Sequence, residues 1–140
     1  AQEGSFKEKA SKFSILHLAM HTIINDSLPM FSKLVFSEPE SNSSDDGFLN
    51  TYEIYNMQLN AKLAVLSACE TGTGKLQKGE GIISIERGFD YAGCPSIVMN
   101  VWQVEDKSGT QIMYDLYNYL SKGKRKDVAR RMAKLNNINA

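Results

Sequence analysis

Three short apolar runs limit most strongly what this chain can fold into: residues 14–20 (SILHLAM), 62–68 (KLAVLSA) and 95–102 (PSIVMNVW). Each is too short for a typical helix, and each reads as a strand buried on both faces of a sheet. Between and after them lie segments with a helical rhythm, at 48–57 with Asn50 as a cap, 81–91, 106–120 and 126–135. Apolar strands alternating with helices predict an α/β domain built on a parallel sheet with right-handed crossovers. In such sheets the working residues stand just beyond the carboxyl ends of the strands. Those positions hold His21, Cys69 and the segment 102–106.

The remaining stretches fit around that frame. Residues 1–13 are polar and read as a lead-in or short surface helix, and 14–140 as the domain proper. Residues 33–36 (KLVF) predict a short edge strand, and 37–47 (SEPESNSSDDG) an exposed, mobile loop. A length of 140 residues predicts one compact core. Sixteen basic and sixteen acidic residues cancel, so there is no general electrostatic case for a nucleic-acid or membrane partner. No run is long enough to span a bilayer, and the charged N-terminus is not a signal peptide. Two cysteines exclude a disulfide scaffold. A cytoplasmic domain is expected.

A cysteine nucleophile needs a fixed backbone turn, a nearby base, and backbone N–H groups aimed at the developing oxyanion. Cys69 ends a predicted strand and opens a glycine-rich loop, and His21 lies at the equivalent end of another strand. Adjacent parallel strands are about 5 Å apart, which puts the two within reach. The competing reading of Cys69 is a small buried hydrophobe. Cys94 stands at the opposite end of the sheet, where packing is the better reading. His17 and His21 are spaced as in a zincin helix, but the segment lacks the Glu and no third ligand stands out, so no metal is expected and His17 reads as a core histidine. The loop Gly72-Thr73-Gly74-Lys75 misses the phosphate-loop pattern at Cys69 and Leu76, and misses a dinucleotide fingerprint at Gln77. No cofactor is expected.

The run Leu66-Ser67-Ala68-Cys69-Glu70-Thr71-Gly72, the Gly79-Glu80-Gly81 helix start, and 98–104 (VMNVWQV) closely resemble the CHAT family of caspase-like cysteine peptidase domains. Ile15 to His21 is similar to the family's histidine strand, and the resemblance extends over about 14–134. The 48-residue spacing from His21 to Cys69 is also near the roughly 50 of caspases. The resemblance implies a caspase-like three-layer α-β-α sandwich with a mainly parallel sheet. The family has further strands before the histidine strand and near its end, so an incomplete domain is expected, with an open sheet edge available for pairing in a homo-oligomer. Such domains are commonly attached to tetratricopeptide repeats, expected elsewhere in the full-length protein.

By carry-over, Cys69 is the nucleophile and His21 its partner, with the backbone N–H groups of Cys69 and Thr22 forming the oxyanion hole. Thr22 departs from the usual glycine, and would be strained if the position required positive φ. Related peptidases select a basic side chain with an acidic residue. Asp45, Asp46 and Asp106 are candidates beside Trp102, although a turn or cap role fits each Asp equally well. The implied activity is cleavage of a peptide or protein substrate. The alternative is a catalytically silent interaction or regulatory module of the same fold.

Overall fold

A computed structural model describes residues 1–39, 44–67, 69–70, 80–99 and 106–138, with backbone only at 69–70, 80–82 and 106–108. The strands are β1 (Ile15–Leu18), β2 (His21–Ile23), β3 (Lys33–Val35), β4 (Phe48–Asn50), β5 (Leu63–Leu66), β6 (Cys69–Glu70) and β7 (Ile97–Met99). The helices are α1 (Glu3–Lys9), α2 (Thr51–Tyr55), α3 (Glu80–Tyr91), α4 (Asp106–Ser121) and α5 (Lys126–Ile138). The expected α/β architecture is present, with a parallel sheet ordered β1-β5-β7.

The sheet content is less uniformly parallel than the resemblance implied. A second sheet, ordered β4-β3-β2-β6, pairs β2 with β3 and β3 with β4 antiparallel, and β2 with β6 parallel. The segment 33–36 therefore supplies an inner strand and not an edge. Leu34 is buried between two neighbours, and β4 takes the outer place. Residues 48–50, expected as helix, form that strand, and α2 begins only at Thr51. Glu53 marks the switch by reaching back to accept the Asn50 N–H at 2.9 Å, so Asn50 does stand at the helix cap as predicted.

Each of the first two apolar runs is shorter as a strand than it reads, and a second strand follows it. The first supplies β1, and β2 begins just past its end at His21; the second supplies β5, and β6 begins just past its end at Cys69. The parallel register survives the interruption. Ile15 pairs with Leu63, Leu18 with Leu66 and His21 with Cys69, each pair 48 residues apart. Among the strands whose side chains are described, burial on both faces holds only for β5, the central strand, which is closed at all four positions. Edge strand β1 buries Leu16 and Leu18 but exposes Ile15 and His17. The main core joins Leu16, Leu18, Ala64 and Leu66 to Ile85 and Phe89 of α3.

The N-terminal segment is anchored by more than its apolar residues. Phe6 packs on Phe36, with ring centroids 5.4 Å apart. The Glu3 carboxylate is buried, accepts the Gly47 N–H at 2.9 Å and is paired with Lys7. Lys7 also donates to Glu53 at 2.7 Å. Burial alone pushes the Lys7 ammonium down and the Glu53 carboxyl up. Their mutual bonds, with Glu3 and Asn50, outweigh it and leave Lys7 raised and Glu53 lowered. Both described ends of the 37–47 loop are tied to this segment, Ser37 through its N–H to the Ala1 carbonyl and Gly47 through Glu3.

Helix α3 ends where Gly93 takes φ of +104°, and a Cβ there would lie 2.6 Å from the Leu59 carbonyl oxygen. Cys94 follows, fully buried, as its packing role predicts. In place of the single compact core expected for the whole chain, Ala1–Gln103 and Val104–Ala140 each form a compact unit. Within the second unit α4 packs on α5, and Asn136 donates to Tyr119 Oη at 2.8 Å.

Candidate active site

The second sheet has one closed face and one open face, and its register sorts the residues between them. Thr22, Leu34 and Leu49 form one row, and all three are buried. Side chains alternate across a pleated strand, so the rows on either side belong to the opposite face. One holds Ile23, Lys33 and Asn50. The other holds His21, Val35 and Phe48, with Val35 brought opposite His21 by continuing the β2–β3 register one residue. None of these six residues is buried, and His21 is exposed.

Cys69 is the register partner of His21 in the parallel pair β2–β6. Neighbouring strands run about 4.8 Å apart, so the backbone sets the two positions side by side at the far end of the ladder that begins at Ile15 and Leu63. This is the juxtaposition expected of the carboxyl ends of two adjacent parallel strands. It arises because both stretches of the chain step through the same number of residues between their two strand segments.

Thr22 lies in β2, buried, with β3 on one side and β6 on the other. Among the described residues no non-glycine has positive φ, so the strain that would follow from a left-handed backbone does not arise there. The segment 71–79 and residues 100–105, Trp102 included, lie outside the described residues. Asp106 begins α4, in the second compact unit. Asp46 is exposed beyond the start of β4, and its Oδ1 accepts the Phe48 N–H at 2.9 Å. Asp45 stands 3.7 Å from the Lys7 ammonium. The described aspartates are thus held by their own loop or by α1.

His17 is exposed on β1 and is not the core histidine expected from sequence. Its Nε2 lies 2.9 Å from Ser67 Oγ, linking β1 to the chain just past β5. Partial burial pushes its imidazole below the ordinary value. The sequence reading missed this pair, although its spacing of 50 residues, close to the strand register, was a usable signal. It also missed Lys33, which strand alternation puts on the face opposite Leu34. No group of three or more potential metal ligands occurs among the described residues, and no helix there is long and apolar enough to cross a membrane.

The family model of the CHAT domain matches residues 1–140. No curated protein matches the chain.

Proposed function

The chain belongs to the CHAT domain family, and from that premise we propose that it is a cysteine peptidase domain working through Cys69 and His21. The observation that carries this reading is the β2–β6 register, which makes those two residues partners at the open end of a parallel ladder. His21 accepts the Cys69 thiol proton, and the thiolate attacks the peptide carbonyl to form a tetrahedral oxyanion. The N–H groups of Cys69 and Thr22 are the oxyanion donors in this scheme. Collapse breaks the C–N bond, the His21 imidazolium protonates the leaving amine, and water hydrolyses the thioester to release the acid and restore the thiol. The open face gives a peptide a place to lie against His21.

One observation favours the silent-module alternative. Thr22 sits inside a strand flanked on both sides, so its N–H is directed in the sheet plane toward a neighbouring strand. A thiol-directed peptidyl acyloxymethyl ketone and a fluorogenic peptide library separate the two readings. The peptidase reading expects labelling and cleavage by the wild-type chain, with both lost in Cys69→Ala. Cleavage that is absent, or that persists in Cys69→Ala, would sink it in favour of a binding module.

A further inference from the structure

The open face beside His21 carries a groove of about 450 Å³ lined by Ile23, Phe31, Lys33 and Asn50, with Ile24, Asn25 and Asp26 completing its wall. Ile23 follows His21 by two residues on the same face of β2, and Lys33 is its register partner. The Lys33 ammonium leans over the Phe48 ring, 4.2 Å from its centroid, and Phe48 belongs to the row of His21 and Cys69. That row places Phe48 two strand spacings, about 10 Å, from His21. A peptide advances about 3.3 Å per residue when extended, so a side chain within a few residues of the scissile bond reaches Lys33.

The charged candidates for substrate selection are unevenly engaged. Lys33 makes no ion pair among the described residues, its recorded contact being the ring of Phe48. Asp45 and Asp46, the described acidic candidates for choosing a basic side chain, are held by Lys7 and by the Phe48 N–H. Among the described residues, the cation nearest the proposed dyad is therefore the group with unused capacity for charge pairing, and Ile23, Phe31 and Phe48 flank it.

We propose that this groove is a substrate subsite in which Lys33 receives one acidic side chain of a peptide bound across the open face. The proposal rests on the peptidase reading for the direction of the bound chain, but its chemistry is a carboxylate–ammonium pair that binding alone can report. Asp26 lines the same groove, so the preference is for a single carboxylate in register with Lys33, and polyacidic sequences gain nothing further.

The test uses the whole chain carrying Cys69→Ala and fluorescein-labelled alanine-based octapeptides, each with one Glu, Gln or Lys at one of the four central positions. At one position Glu is expected to bind about fivefold tighter than Gln, the gain typical of a partly exposed ion pair, and Lys weaker than either. Lys33→Arg keeps that order, Lys33→Gln removes the Glu advantage, and Lys33→Glu reverses it. Equal binding of Glu and Gln at every position, or a Glu preference that survives Lys33→Gln, overturns the subsite. Binding of none of the peptides overturns it too. The parent reading is judged separately by Cys69-dependent cleavage in the wild-type chain, so a positional preference without cleavage keeps the subsite and removes the peptidase.

Discussion

Leu63–Leu66 is buried at every position, whereas His21–Ile23, farther along the same ladder, is buried only at Thr22. Both segments obey one register, so pairing is not what separates them. The difference lies in what flanks them. Strand β5 has a parallel neighbour on each side and apolar packing on both faces. Strand β2 has β3 and β6 beside it and packing on one face only. The lesson is that a closed ladder fixes the register, and its continuation keeps that register with one face exposed.

Substitutions on the two segments should move different observables, and the largest effect tests this most directly. His21→Ala, on the open face, is expected to lower kcat/KM for peptide cleavage about 10³-fold, about 4 kcal/mol of transition-state stabilisation. Its chemical-denaturation midpoint should stay close to wild type. A large stability loss in this variant would mean that the open segment is structural after all. Leu66→Ala, on the closed segment, should reverse the pattern. It removes a buried side chain from the main core and is expected to cost about 3 kcal/mol of unfolding free energy, read from equilibrium urea unfolding.

The closed side also carries a charge-dependent tie. Lys7→Met leaves the buried Glu3 carboxylate and Glu53 without their shared cation and is expected to cost about 2 kcal/mol near neutral pH. The Glu53 carboxyl is lowered in the fold, so its contribution is complete above its unfolded value of 4.5 and fades as pH falls through the lower folded value. The gap between Lys7→Met and wild type should therefore narrow in acid, and a gap independent of pH from 7 to 3 would count against this tie.

The smallest effect falls at the junction of the two segments. Folding holds the His17 imidazole below its ordinary value of 6.5, so protonation is easier in the unfolded chain. Stability from this group is complete above that value and declines as pH falls through it. His17→Gln should flatten that part of the pH–stability curve and cost about 0.5 kcal/mol near neutral pH through the altered bond to Ser67. A curve unchanged between pH 7 and 5 would separate His17 from the junction.

Much of this was readable from residue order. The apolar runs announced the parallel strands, and Asn50 the cap of α2. The equal spacing of His21 and Cys69 from their strand starts announced the pairing that β2 and β6 display. Two errors share one cause. Ile15 and His17, expected to be buried, are exposed, and 33–36, expected at an edge, supplies an inner strand, because short apolar runs do not reveal whether their strand is central or peripheral. Residues 48–50 were read as helix because three residues are too few to show a period, and the choice fell to backbone bonds with β3.

The sequence by itself determined the fold class and the family, and it set His21 and Cys69 at matching distances along their strands, since periodicity, turn residues and motif spacing are all local or one-dimensional properties. Only the tertiary structure decided which face of each strand is closed, that Glu3 would be a buried anchor, and that Lys33 would stand on the open face with His21. Those outcomes depend on strand order and on what packs against each face, and these are set by pairings between residues far apart in the chain.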